Sequence, residues 1–159
     1  MNYRLIVRQL GLLVMVLSAV LFCIWIWSGV AIDFSDESVF SLLWSTLISV
    51  LLGLVLFFLG NKDKNQHGTG TMGRREALLL VSTSWFIGAI VSALPFLIWA
   101  TSSSDENHPF RSIVNCFFEA MSGLTTTGAT ILTDISTLPA PLLFWRAMIQ
   151  WLGGLGIVV

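Results

Sequence analysis

Pro109-Phe110-Arg111-Ser112-Ile113-Val114-Asn115-Cys116-Phe117-Phe118-Glu119-Ala120-Met121-Ser122-Gly123-Leu124-Thr125-Thr126-Thr127-Gly128-Ala129-Thr130 decides how the rest of the chain is read. Proline is suited to the first position of a helix, where its missing N–H costs nothing. From Phe110 to Gly123 a helix rises about 21 Å, short of the roughly 30 Å hydrocarbon core. It also mixes Arg111, Asn115 and Glu119 with Val114, Phe117, Phe118 and Met121, so it requires a protein cradle and not open lipid. The hydroxyls and carbonyls of 125–130 then follow in an apolar setting. Such a loop is costly at membrane depth unless protein buries it or it lines a watery path.

The surroundings set that depth. The 159 residues are 55% hydrophobic and 11% charged, with seven tryptophans, which is too apolar for a water-soluble domain and predicts an all-α integral membrane protein in contact with lipid. A formal net charge of −1 supplies no basic field for nucleic acid. The two cysteines, Cys23 and Cys116, support neither a disulfide framework nor a metal site, and no cofactor motif is present.

Working outward, residues 1–60 read as two transmembrane helices. Leu10 to Ile32 carries no charge and reads as an anchor, because the apolar run is long for a cleaved signal. Trp25 and Trp27 suit a headgroup zone. Ser35 or Asp36 is placed to cap a second span over Val39 to Gly60, which shows no polar face. Residues 61–76 form a hydrophilic, glycine-containing loop with Lys62, Lys64, Arg74 and Arg75. Basic residues there and at Arg4 and Arg8, against Asp33, Asp36 and Glu37, place the loop and the N-terminus in the cytoplasm. His67 by itself is no metal site.

Residues 77–159 form the second half. A span over 77–100 contains Pro95, which predicts a kink near its outer end. Asp105 and Glu106 lie in an external loop, the short helix covers 109–123, and the polar loop covers 125–130. Pro139 and Pro141 open a last span over 139–159 that holds Arg146, Gln150 and Gly153, Gly154 and Gly156 and stops while still apolar, as a truncated chain would. The unit is span, re-entrant helix, loop, span.

A helix that stops midway turns the negative end of its dipole toward the membrane centre, which suits a cation. Three successive β-branched threonines favour extended backbone, and Gly128 admits dihedrals that align adjacent carbonyls. Oxygen ligands suit hard alkali cations. Glu119 reads as a structural carboxylate, bonded to nearby N–H groups or paired with Arg146, and the glycines of the last span as close-packing positions. No spacing sets a nucleophile beside a base, so an enzyme is not expected.

The run from Phe117 to Thr130, followed by Phe144-Trp145-Arg146 and Gln150-Trp151-Leu152-Gly153-Gly154-Leu155-Gly156, resembles the first pore repeat of the bacterial Trk-type potassium transporters. Two preliminary helices before that repeat are also a family feature. The resemblance implies K+ uptake across the bacterial inner membrane through one pore built from four such repeats, with K+ as the transported ion. It implies that the filter residues are Thr125, Thr126, Thr127, Gly128 and Ala129, that Gly128 is the filter glycine, and that K+ sits at Thr126, Thr127 and Gly128. Relative to TVGYG filters, Ala129 stands where an aromatic residue stiffens the loop. For the full-length family it further implies a homodimer and a cytoplasmic nucleotide-binding regulatory subunit. One repeat supplies a quarter of the ring, so this chain is expected not to conduct alone; a non-transporting scaffold or accessory subunit is the alternative reading.

Overall fold

The computed structural model describes residues 3–61 and 73–158. Lys62, Lys64, His67 and most of the expected cytoplasmic loop lie outside the described residues. The described chain is all helical: α1 (Tyr3–Ala31), α2 (Glu37–Asn61), α3 (Arg74–Ser102), α4 (Ile113–Leu124) and α5 (Ala140–Val158), with 3-10 turns at Pro109–Arg111 and Ile135–Thr137. Among the described residues, α1, α2 and α3 are long and apolar enough to cross a membrane. With no water in hydrocarbon, helices satisfy their backbone groups internally, which is why apolar runs of this length take that form.

α1 and α2 form an antiparallel pair, joined at one end by a short acidic connection. Asp36 Oδ1 accepts the Ser38 N–H at 2.8 Å, which caps the first turn of α2. At the far end the helices nearly touch: a Cβ on Gly60 would lie 2.6 Å from the Arg8 backbone nitrogen, and one on Gly11 would lie 2.7 Å from that of Phe57. Arg8 rests its guanidinium over the Phe57 ring at 5.8 Å, so α1 extends well before Leu10, with its basic residues inside the helix.

The expected absence of a polar face on α2 does not hold. Ser38, Ser41, Ser45 and Ser49 are all buried on one side of the helix. The hydroxyls of Ser41, Ser45 and Ser49 each donate to a carbonyl one turn back, at 2.6–2.7 Å, so they are satisfied within the helix and form no polar track. Small residues permit close helix approach, and in lipid that packing replaces the hydrophobic drive available in water.

α3 continues through Pro95 to Ser102. The ring removes one donor from the helix ladder. A carbonyl close by, that of Ser92, accepts the indole N–H of fully buried Trp145 at 3.0 Å, which fastens α5 to α3. Phe96 packs tilted against Phe110 of the first 3-10 turn, with ring centroids 5.1 Å apart, and both are fully buried. The stretch expected as a helix from 109 divides here: Ser112 is extended (φ −86°, ψ 123°), so the α-helix begins only at Ile113. Arg111 accounts for the break, donating from Nη2 to the Ser103 carbonyl at 2.9 Å and from Nε to that of Asp105 at 3.1 Å.

Candidate functional site: the loop at the foot of α4

The depth at which α4 stops can be read from its neighbours. A Cβ on Gly88 would meet Leu124 at 3.5 Å and Leu17 at 4.0 Å. Gly88 and Leu17 are the central residues of the 29-residue helices α3 and α1. Leu124, the last residue of α4, is therefore level with the middle of two spanning helices. At 12 residues, α4 rises about 18 Å.

The loop does not continue as extended backbone. Thr125 has φ −77° and ψ 5°, and Thr126 adopts φ +57°, the left-handed region that β-branched residues rarely enter. The reason lies in the carbonyls that α4 leaves open. The Thr126 N–H donates to the Gly123 carbonyl at 2.9 Å and the Thr127 N–H to that of Ser122 at 3.0 Å, the paired bonds of a Schellman helix end. The Gly128 N–H also reaches the Ser122 carbonyl, at 3.3 Å, and Gly128 takes φ +71°. Thr125 Oγ1 donates to the Met121 carbonyl at 2.8 Å and lies 2.9 Å from Thr127 Oγ1.

These bonds leave one set of oxygens over. Thr125 to Ala129 are exposed, and among the described residues no hydrogen bond reaches the carbonyls of Thr125, Thr126 or Thr127. Oxygens without partners at the negative end of a helix dipole form a place that favours a cation.

Behind the loop lies an ion pair. Glu119 is 1% exposed. Its Oε1 accepts Arg146 Nε at 2.6 Å, and its Oε2 accepts Thr130 Oγ1 at 3.0 Å and the Ile131 N–H at 3.3 Å. Arg146 Nη2 also reaches the Gly128 carbonyl at 3.4 Å. One carboxylate thus ties α4, the chain after the loop and α5 together, and each buried charge has a partner.

α5 presents a stripe to this assembly. Ile149 packs under Gly123, where a Cβ would lie 2.7 Å from it, and Gln150 Nε2 lies 3.6 Å from the Cβ position of Gly128. At Gly153 the approach is closer still: a Cβ would sit 1.8 Å from the Leu124 carbonyl oxygen. Arg146, Ile149, Gln150 and Gly153 follow helical spacing, so they share one face of α5.

The acidic group of the connection between α3 and the first 3-10 turn lies elsewhere. Asp105 joins His108, Trp99 and Asp134 around a cleft of about 380 Å³. His108 Nδ1 accepts the Phe110 N–H at 3.2 Å, and burial lowers its pKa while Asp105 pulls it back upward. Among the described residues no group of three or more His, Cys, Asp or Glu gathers to hold a metal.

Ser122 was missed in the sequence, although its spacing from Glu119 puts both on one face of α4. Its Oγ donates to the Ala129 carbonyl at 2.7 Å. Gln150 reads in the sequence only as one polar residue of the last span.

The sequence profile of TrkH, a cation transport protein, matches residues 50–159. The chain belongs to the TrkH family. It is 35% identical over 159 residues to the Trk system potassium uptake protein TrkH of Escherichia coli K12, covering all of this chain and 30% of that protein. Against the potassium uptake protein TrkG of the same strain it is 29% identical over 145 residues, covering 87% of this chain and 27% of TrkG. The crystal structure of the potassium transporter TrkH from Vibrio parahaemolyticus superposes with a TM-score of 0.79 at 28% identity, over 99% of this chain and 31% of that one. The chain therefore spans about 30% of the length of the TrkH relatives it matches. Family members carry the name of potassium uptake proteins, and the all-helical transmembrane fold is theirs.

Proposed function

We propose that this chain forms part of a K+ uptake pathway, contributing one quarter of the ion-coordinating ring through the filter loop made of Thr125, Thr126, Thr127, Gly128 and Ala129, with K+ held at Thr126, Thr127 and Gly128 and Ala129 closing the loop. The observation that carries this reading is the run of unpartnered carbonyls on the exposed residues Thr125 to Thr127 at the inner end of a non-spanning helix. Aligned carbonyls replace the hydration shell of an alkali cation. Residues 77–159 then act as a span, re-entrant helix and span repeat, and residues 1–60 as a supporting pair of helices. Glu119 and Arg146 support the loop from behind and do not contact the ion.

Arg4, Arg8, Arg74 and Arg75 stand at the opposite end of the helices from Asp33, Asp36, Glu37 and Asp105. That asymmetry supports a cytoplasmic N-terminus in the bacterial inner membrane, with α4 entering from outside. The relatives' names and the share of their length matched here support a larger transporter around this segment. A homodimer and a cytoplasmic nucleotide-binding subunit complete that proposal.

The test is rubidium uptake by a bacterial strain lacking its own K+ systems, expressing the native open reading frame that carries this sequence. Gly128→Ser forces a side chain into φ +71°, although the space itself is open to 3.6 Å. We expect uptake to fall about tenfold, the scale of the left-handed penalty of about 1–2 kcal/mol. Unchanged uptake with unchanged discrimination against Na+ removes Gly128 from the pathway.

A further inference from the structure

We infer that Ser122 is a positioning residue that determines which carbonyls of the loop face the ion, holding that of Ala129 back from it. The inference rests on the ion pathway proposed above and names a residue that the pathway reading did not include.

The direction of each carbonyl follows from the hydrogen bonds of the next residue. In a trans peptide, the C=O of one residue points opposite to the N–H of the next, and no peptide here is cis. The N–H groups of Thr126, Thr127 and Gly128 all point back into the end of α4, the first to Gly123 and the other two to the Ser122 carbonyl. The carbonyls of Thr125, Thr126 and Thr127 therefore all point away from α4. This orients the three unpartnered oxygens together.

Ala129 is turned the other way. Its carbonyl accepts the Ser122 hydroxyl at 2.7 Å, so it points back toward α4. The same residue thus acts twice, its carbonyl directing Thr126 and Thr127 outward and its hydroxyl drawing Ala129 inward. Ser122 itself is 6% exposed, so its hydroxyl is mostly shielded and the bond to the exposed Ala129 is partly buried. The intervening Gly128 carbonyl faces Arg146 Nη2 at 3.4 Å. The reversal in carbonyl direction therefore falls between Thr127 and Ala129, and the Ser122 side chain fixes its far side.

Ser122→Ala removes only the hydroxyl and leaves both backbone bonds to the Ser122 carbonyl in place. In the uptake strain, with rates normalised to transporter in the membrane, we expect discrimination of Rb+ over Na+ to fall on the order of fivefold, the scale of one neutral hydrogen bond. The maximal rate stays within about twofold, whereas simple misfolding lowers rate and protein level together and leaves discrimination intact. Ser122→Thr keeps a hydroxyl and restores discrimination. Unchanged discrimination in Ser122→Ala at normal protein level overturns the inference, as does a Thr variant that behaves like Ala. If the Ala variant does not reach the membrane, Ser122→Cys, close in size with a weaker donor, takes its place: intermediate discrimination supports the role and full discrimination refutes it. Gly128→Ser in the same strain separates the two levels. A change in uptake or discrimination there with none in discrimination at Ser122 sinks this inference alone, and unchanged uptake together with unchanged discrimination at Gly128 sinks the pathway reading beneath it.

Discussion

Breaking the pair behind the loop exposes how much of the site depends on one carboxylate. In Glu119→Ala the Arg146 guanidinium loses an oxygen 2.6 Å from Nε, and Thr130 Oγ1 and the Ile131 N–H lose their acceptor. Removing one partner of a fully buried pair costs about 3–5 kcal/mol. Here the Glu119 side chain is 0% exposed but that of Arg146 is 17% exposed, so the guanidinium recovers part of its hydration and the low end applies. We expect about 3 kcal/mol for Glu119→Ala. Glu119→Gln costs about 2 kcal/mol, because one amide oxygen still accepts from Arg146 while the amide NH2 confronts the Ile131 N–H. Arg146→Ala strands a fully buried carboxylate with only Thr130 and Ile131 left to bond it, and costs about 4 kcal/mol. The double variant Glu119→Ala/Arg146→Ala leaves no unpaired charge, so it falls short of the sum by about 2 kcal/mol. Thermal unfolding of the purified protein in detergent measures the series, at ~2–4 °C per kcal/mol for a chain of this size. If the single effects add to within about 0.5 kcal/mol, the two residues are not coupled and the account of the loop's support fails.

Two further outcomes follow from the same geometry. Alanine substitutions of three glycines should rank by what a Cβ meets: Gly153→Ala strikes the Leu124 backbone and costs upwards of ~3 kcal/mol, Gly123→Ala strikes only the movable Ile149 side chain and costs about 1–2 kcal/mol, and Gly156→Ala meets nothing within 4 Å and is neutral or stabilising by up to about 1 kcal/mol. Thermal unfolding reads the order, and a Gly156 variant as damaging as the Gly153 one contradicts it. For His108, burial favours the neutral ring and its pKa is lowered below 6.5, so the unfolded chain takes up the proton first. The stability it contributes is complete above pH 6.5 and is lost as pH falls through that value toward the lowered one. His108→Asn, which keeps a side-chain acceptor for the Phe110 N–H without titrating, should flatten the melting temperature between about pH 7.5 and pH 5.5; an unchanged slope assigns the effect to other groups. Asp134 titrates outside this window, since its bonds from Ser136 hold its pKa below the usual carboxylate value.

The transmembrane, all-helical class is legible because hydrocarbon leaves the backbone few choices: an uncharged run such as Leu10 to Ile32 has to be a helix. The early end of α4 is legible too, from a glycine and three threonines that interrupt the apolar pattern. The conformation of those threonines is not. β-Branching argues for extended backbone at Thr126, yet the open carbonyls of Ser122 and Gly123 outweigh that local preference by recruiting the next N–H groups. The serine stripe of α2 escapes for a related reason. Hydroxyls that bond back to their own helix behave as small packing residues, and residue type alone does not reveal which way they donate. Ser122 is hidden further, because its role depends on a loop partner seven residues away whose direction is set only once the helix end is closed.

Thr126 shows how such a loop holds its shape without the aromatic residue of a TVGYG filter. At the C′ position of a helix, glycine carries no penalty, whereas threonine in the left-handed region costs about 1–2 kcal/mol. A residue persists there only if its neighbours over-determine it. They do: the Thr126 and Thr127 N–H groups are both committed to α4, and Thr125 is tied to Met121 through its hydroxyl. A β-branched side chain in that position has few alternative rotamers, and a glycine there would let the Thr126 carbonyl swing. On the far side, Ser122 holds Ala129 and the Glu119–Arg146 pair holds Thr130, Ile131 and Gly128. Stiffness in the proposed ion path thus comes from a strained threonine on one side and a buried charge network on the other, both seated on the face of α5 from Arg146 to Gly154. Because Ala129 packs no ring against its neighbours, loosening either support should show first as lost discrimination between cations and only later as lost transport.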